Sequence, residues 1–404
     1  MALRVVATRP DPALLPLPWS QPLADWDEVH LVPLPRGLSR HVVRIITTGP
    51  GGNTYVAKET EEEIANREYR MLRELGAKRL PCVEPQCVIS GRTDNQDRPL
   101  PSVLVTRHLR YSLPYRWLFS NGLGAAELPA IIDAMVVLLV RLHLTHFYWG
   151  DVSLSNVLFR RNAGEFSAYL VDAETGELKA TLSDAMREHD VEVGCENVYA
   201  ELLDLTASGD LKDSVDPAEV IALLRERYDL LWAELTRAEE FGRDEMWRVE
   251  QRIERLNELG FDVDEIEMVA APEGDCYRLQ PKVVELGHHA RELQGLTGLS
   301  VEENQARRLL NDLAAYTAHL GLAGENPEIV ANQWLVRVYE PIKAMVPPEL
   351  RGRLEPAEIF HEILVHRWFL SEAAGHEVDI FDTARDYIAV ELPKRPVLPA
   401  AGPT

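Results

Sequence analysis

"FYWGDVSLSNVLF", residues 147–159, sets Asp151 and Asn156 five positions apart, between an apolar helical run and a strand-like one. The stretch alone leaves two readings open. Asp151 and Ser153 are ordinary turn formers, and Asn156 is a residue that ends turns. Equally, two oxygen-bearing side chains at the junction of two buried elements can orient a substrate hydroxyl and hold a metal ion. The flanking chain decides between these readings.

Downstream, "VLF" at 157–159 and "AYLVD" at 168–172 are strand-like runs separated by "RRNAGEFS". A hairpin centred on Gly164 predicts that position 156 pairs with position 172, so that Asn156 and Asp172 face each other at its open end. Two hard oxygen ligands side by side suit Mg²⁺, whose octahedron waters and phosphate oxygens complete. Acidic residues also end many strands, so Asp172 by itself does not choose.

Upstream, residues 61–75 read as a helix whose apolar stripe is Ile64, Met71, Leu72 and Leu75. Glu68 falls inside that stripe. A carboxylate on a buried face is costly unless paired. Lys58 ends the preceding strand in "VAK", and it is the cation that Glu68 is expected to meet. The competing view is a solvated helix with one more glutamate beside Glu61, Glu62, Glu63 and Glu74.

The 404-residue length and 46% hydrophobic content predict two or three folded domains. A formal net charge of −23 repels polyphosphate backbones and anionic lipid, which argues against a nucleic-acid partner. Four widely spread cysteines with no C-x-x-C pair, and no secretory start, predict a reduced, cytoplasmic setting without a disulfide framework. The most apolar run, "IIDAMVVLLV" at 131–140, contains Asp133 and is followed by Arg141. It is short of the about 20 residues of a membrane span, so a buried helix is expected and membrane insertion is not. "HEILVH" at 361–366 has its histidines five apart. They fall roughly 140° out of line on a helix, unlike the i, i+4 pair of a zinc site.

Residues 1–25 are proline-rich and read as an extended lead-in. Residues 26–110 carry the strands "EVHLVPL", "RHVVRIIT", "TYVAKE" and "PSVLVTRHL" around the helix that bears Glu68. "GPGGN" has no Gly-Lys-Ser/Thr behind it and reads as a hairpin turn. Residues 111–243 are mainly helical, with patterns at 128–146, 195–207 and 217–240. A second, mainly helical domain follows at 244–392, with strand-like "EIEMVA" and "YRLQPKVV" near its start, and 393–404 form a loose tail. His288, Arg291, Gln305 and Arg308 of that domain line either a recognition surface or a solvated helix face.

Taken in order, Lys58 on a strand, Glu68 on a helix, a hinge strand at 102–109, a buried helix, Asp151 with Asn156, and then Asp172 resemble the protein-kinase-like superfamily. "GDVSLSNVLF" is most similar to the RIO and lipopolysaccharide-kinase-like branch, and the whole chain to a bacterial family with an appended C-terminal domain of unknown function. The resemblance implies an α+β, two-lobed kinase-like fold followed by a mainly α-helical domain. It implies an ATP- and Mg²⁺-dependent (or Mn²⁺-dependent) phosphotransferase acting on an acceptor hydroxyl. In that scheme Lys58 contacts the α- and β-phosphates, Glu68 holds Lys58, Asp151 takes the acceptor proton, Asn156 and Asp172 bind metal, and Ser153 supports the loop. The nucleotide-covering loop falls on "PLPRGLSRH", with Gly37 and Ser39 offering backbone amides. The sequence departs from the pattern in following Asp172 with Ala173 and Glu174 instead of Phe-Gly, and no ordinary activation segment follows. Nucleotidyl transfer on the same fold, or a pseudokinase scaffold that engages a protein partner through residues 244–392, are the competing functions.

Overall fold

In the computed structural model, which describes residues 3–33, 40–49, 52–121, 127–211, 215–237, 239–242, 247, 248, 251, 254, 261–270 and 276–396, the chain divides into two units. The first spans Met1–Arg160 and Ser167–Tyr228, and the second spans Asp229–Leu398 together with Arg161–Phe166. The boundary expected near 243, Gly37, Ser39 and the residues from 397 onward lie outside the described residues.

An antiparallel sheet of five strands heads the first unit: β1 (Arg4–Ala7), β2 (Val43–Thr47), β3 (Thr54–Thr60), β4 (Pro85–Ser90) and β5 (Ser102–Arg107), in the spatial order β1-β4-β5-β3-β2. Helix α1 (Glu62–Ala77) joins β3 to β4. Because successive strand residues point to opposite faces, β3 sends Tyr55 and Ala57 one way and Val56 and Lys58 the other. Tyr55 and Ala57 join Ile46, Cys87, Ile89, Val103 and Val105 in an apolar core on one face of the sheet. Val56 and Lys58 join Val43, Ile45 and Leu104 around a cavity on the other. Glu28–His30 is a short 3₁₀ turn in place of the expected strand, and Leu31 makes an isolated bridge to Ile46.

The apolar face needs a cover, and the N-terminal segment supplies it. Leu14, Leu17, Trp19, Leu23 and Trp26 are buried against that face. Residues 3–25, within the segment expected as an extended lead-in, are therefore a packed element that includes an edge strand. The prolines break helix, and the apolar residues between them still seek burial. A buried ion pair fixes the segment in place. Arg92 donates to Glu59 Oε1 at 2.9 Å and to the backbone oxygens of Trp19 (2.9 Å), Pro101 (2.8 Å) and Gln21. Glu59 Oε1 also accepts from the Leu23 amide at 2.9 Å.

The remaining elements that lie in the first unit, or run from it into the second, are β6 (Ser112–Pro114), α2 (Tyr115–Ser120), α3 (Leu128–Leu144), β7 (Phe147–Tyr148), β8 (Val157–Asn162), β9 (Glu165–Leu170), β10 (Glu177–Leu178), α4 (Asp184–Ser208) and α5 (Pro217–Thr236). Helix α3 buries residues all round, including Ile131, Ile132, Met135, Leu138, Leu139 and Leu142. Among the described residues no helix is long and apolar enough to cross a membrane. Strands β8 and β9 form the expected hairpin, but its register differs by one. The turn is the two residues Ala163 (φ 54°) and Gly164 (φ 87°), both left-handed as a tight hairpin turn requires. Its centre therefore falls between 163 and 164, and the Val171 amide donates to the Asn156 carbonyl at 3.1 Å, pairing 156 with 171 instead of 172.

The second unit holds an antiparallel sheet in the order β11-β13-β12, with β11 (Glu239–Gly242), β12 (Phe261–Ala270) and β13 (Cys276–Leu286). Its helices pack around Trp334, Tyr339, Phe360, Leu309, Ile363 and Tyr387. Residues 161–166, at the hairpin tip, are integral to this unit. Asn162 Oδ1 accepts from the amides of Asn304 (2.9 Å) and Gln305 (3.1 Å), at the start of the helix Glu303–His319. Glu358, 2% exposed, accepts from the Ala163 amide at 2.8 Å and from Gln305 Nε2 at 2.9 Å. Gln305 is thus a buried hydrogen-bonding residue and not part of a surface, because its apolar neighbours Ala306 and Leu309 face the core with it.

Removing one partner of a buried ion pair strands the other. We expect Arg92→Leu to lower the unfolding free energy by about 3 kcal/mol in a urea titration. A loss below about 1 kcal/mol would show that apolar contacts alone hold the N-terminal segment.

Candidate functional site

Lys58 is 9% exposed, and its ammonium touches three carboxylates. Nζ lies 3.1 Å from Glu68 Oε2, 2.7 Å from Asp172 Oδ2 and 2.9 Å from Glu174 Oε2. The strand-to-helix pair expected from the sequence is therefore present, and Asp172 belongs to the same cluster. The helix α1 stripe accounts for Glu68, which is fully buried with Tyr69, Leu72 and Leu75. Asp172 and Glu174 follow the hairpin, and the Glu174 amide donates to Asp172 Oδ1 at 3.0 Å. Glu174 is a member that the sequence reading noted only as a departure.

The Asp151 loop is held from one face of α4. Asp190, Gly194, Asn197 and Glu201 follow one another at i, i+4, i+7 and i+11, so they share that face. Fully buried Asp190 accepts from the amides of Trp149 (2.6 Å) and Gly150 (2.7 Å). Its Oδ2 also lies 3.3 Å from His143 Nε2, and His143 Nδ1 lies 2.6 Å from the Tyr228 hydroxyl. Burial holds the His143 imidazole below its ordinary value, against the pull of Asp190. Asn197 donates to the Val152 carbonyl at 3.0 Å and to Asp151 Oδ1 at 3.4 Å. Glu201 accepts from the Leu154 and Ser155 amides, each at 2.8 Å. A Cβ at Gly194 would sit 2.8 Å from Val152 Cγ1, so only glycine lets the helix approach the loop this closely.

Inside the loop, Asn156 Nδ2 donates to Asp151 O and Asp151 Oδ2, both at 3.0 Å. That fixes the Asp151 carboxylate and turns Asn156 Oδ1 away from it. A cavity of about 150 Å³ is lined by Lys58, Glu68, Asn156 and Asp172, with apolar walls from Val43, Ile45, Val56, Leu104, Leu158 and Val171. His108 lines it too, beside Arg107, and burial holds the His108 imidazole down at about 4. Ser153 is buried and Ser155 lines the cavity in its place. The geometry thus gathers Lys58, Glu68, Asn156 and Asp172 on one cavity, with Asp151 tied to Asn156.

Asp190 and Gly194 escaped the sequence reading because helix was expected only from 195 onward, and without them Asn197 and Glu201 showed no shared face with a task. The missed signal was Ser183, whose side chain caps the first turn by accepting from the Met186 amide at 3.3 Å. From that start, the polar face of α4 falls out of the helical repeat.

Burial, reinforced by the negative charge of Asp172, pushes the Glu68 carboxyl up to about 7, against the opposing pull of Lys58. A carboxyl raised in the native state binds its proton more tightly there than in the unfolded chain. Its stabilisation is complete below its ordinary value and is lost as pH rises through the native one. We expect wild-type stability to decline between about 4.5 and about 7, and Glu68→Gln to flatten that slope in denaturant titrations across this range. An unchanged slope in the variant would assign the effect to another group.

Residues 30–258 match the model of the Phosphotransferase enzyme family. Residues 230–392 match a Domain of unknown function (DUF4032). No curated protein matches the chain. Among solved structures, the chain is similar to one described as "WaaP in complex with acyl carrier protein", with 15% identity and a TM-score of 0.31, over 49% of this chain and 90% of that one. The match at 30–258 takes in more than half of the sequence, and the chain belongs to the phosphotransferase enzyme family.

Proposed function

We propose that the first unit is an ATP- and Mg²⁺-dependent kinase that transfers a phosphoryl group to an acceptor hydroxyl. The observation that carries this reading is the meeting of Lys58, Glu68 and Asp172 on a cavity that also has apolar walls, from Val43, Ile45, Val56, Leu104, Leu158 and Val171. Apolar walls suit a flat base, and a paired lysine suits the phosphates attached to it. Asn156 Oδ1 and the Asp172 carboxylate are hard oxygen donors on that cavity, a donor set that fits Mg²⁺. One ammonium among three carboxylates also leaves an excess of negative charge that a divalent cation would offset. When bound, the ion would supply charge neutralisation for the phosphates.

The protein's own part is mostly positioning. Glu68 holds the Lys58 ammonium where the α- and β-phosphates would lie. Asp151 is oriented by Asn156 and Asn197 and is the carboxylate placed to accept the acceptor hydroxyl's proton. Asp190 and Glu201 act through the backbone, fixing the loop so that Asp151 keeps one orientation. Little covalent chemistry is asked of the protein in such a transfer, so lost geometry costs rate.

Because a ligand that binds only the native state stabilises it, ATP with Mg²⁺ at about a thousand times its Kd should add about 4 kcal/mol and raise the melting temperature. Asp151→Asn should keep that shift while turnover falls by about a hundredfold or more, since the residue faces the acceptor and not the phosphates. No shift for wild type at millimolar nucleotide would remove the proposal. A variant that loses shift and turnover together would place Asp151 in nucleotide binding instead.

A further inference from the structure

An ammonium group has three N–H donors, and those of Lys58 face three carboxylates: Glu68, Asp172 and Glu174. A phosphate oxygen can join Lys58 only if one of them leaves. Glu68 is fixed in the α1 stripe. Glu174, by contrast, is shared with two further groups: Oε2 lies 3.2 Å from His41 Nε2, and Oε1 pairs with the Arg40 guanidinium. The Glu174 side chain is 7% exposed while that of Arg40 is 68% exposed, so a buried anion is held partly by a side chain open to water.

Arg40 and His41 stand just before β2, whose Val43 and Ile45 line the same cavity as Lys58. Burial first, and then the charges of Lys58 and Arg40, hold the His41 imidazole below its ordinary value, against the pull of Asp172. Two cations, Lys58 and Arg40, and the His41 imidazole, whose Nε2 accepts from Arg40 Nε at 3.4 Å, surround one carboxylate, and the same setting suits a phosphate oxygen, which is likewise anionic and accepts several hydrogen bonds. We propose that Arg40 and His41 join Lys58 in binding the phosphate chain of the nucleotide, and that Glu174 occupies that place until a polyphosphate replaces it. The proposal rests on the nucleotide reading above and extends it to side chains N-terminal to β2, with Glu174 as an internal competitor.

The test is calorimetric titration of the full chain with ATP, adenosine and inorganic tripolyphosphate, each with and without Mg²⁺. Arg40→Gln and His41→Gln should each weaken ATP by about tenfold, the factor that corresponds to about 1.4 kcal/mol, and leave adenosine unchanged. Glu174→Gln removes the competing charge and should tighten ATP and tripolyphosphate without Mg²⁺ by a similar factor. Melting of each free variant checks that it folds. Tighter binding in Glu174→Gln supports the proposal even where the histidine variant folds poorly. Weaker binding in Glu174→Gln, or unchanged ATP affinity in both cation variants, overturns it while the nucleotide reading stands. If wild type takes no ATP yet binds tripolyphosphate through Arg40 and His41, the anion site stands and the nucleotide reading falls.

Discussion

A lysine ammonium buried in the middle of a sheet is the constraint on which the first unit turns. Burying the Lys58 ammonium to 9% exposure is costly without partners, and each partner dictates an element. Glu68 requires α1 to lay its stripe against the sheet. Asp172 and Glu174 require the chain leaving β9 to return beneath β3. Strand alternation makes the arrangement possible, since the residue that puts Lys58 into the cavity puts Ala57 and Glu59 toward the opposite face, where Arg92 and the N-terminal segment close the core.

A second layer of control lies in α4. One helical face supplies a glycine for close approach and three polar side chains that take up loop donors and acceptors from Trp149 to Ser155. Backbone amides in a buried loop must find partners, and here carboxylates satisfy them, which binds more tightly than neutral acceptors would. The result is a loop whose shape is set by buried hydrogen bonds while Asp151 stays available on its edge. Rigid support behind a presented carboxylate is what positional catalysis asks of a protein.

Much of this was legible from residue spacing. Glu68 showed itself because a charge in an apolar stripe must be paired, and Asn156 and Asp172 because a hairpin brings its two ends together. The one-residue error in register came from centring the turn on Gly164, when Ala163 shares the left-handed conformation with it. The N-terminal segment misled because proline density was weighed above the tryptophans and leucines between the prolines, which have no other place to be buried. Glu174 was not readable at all: nothing local in "DAETG" tells that its side chain crosses to Lys58, Arg40 and His41. Gln305 failed for a similar reason, because its partners Arg161 and Glu358 are far away in sequence.

The central claim is that the Lys58 cluster is the phosphate end of a metal–nucleotide site with Asp172 among the metal's ligands. Mn²⁺ in place of Mg²⁺ makes that visible, because a paramagnetic ion bound next to phosphate shows hyperfine coupling to ³¹P in pulsed electron paramagnetic resonance. The account expects such coupling for the wild-type chain with ATP and Mn²⁺, beyond that of ATP and Mn²⁺ free in solution, and its loss in Asp172→Asn. Protein-bound coupling that is absent from wild type, or that survives in Asp172→Asn unchanged, would contradict it.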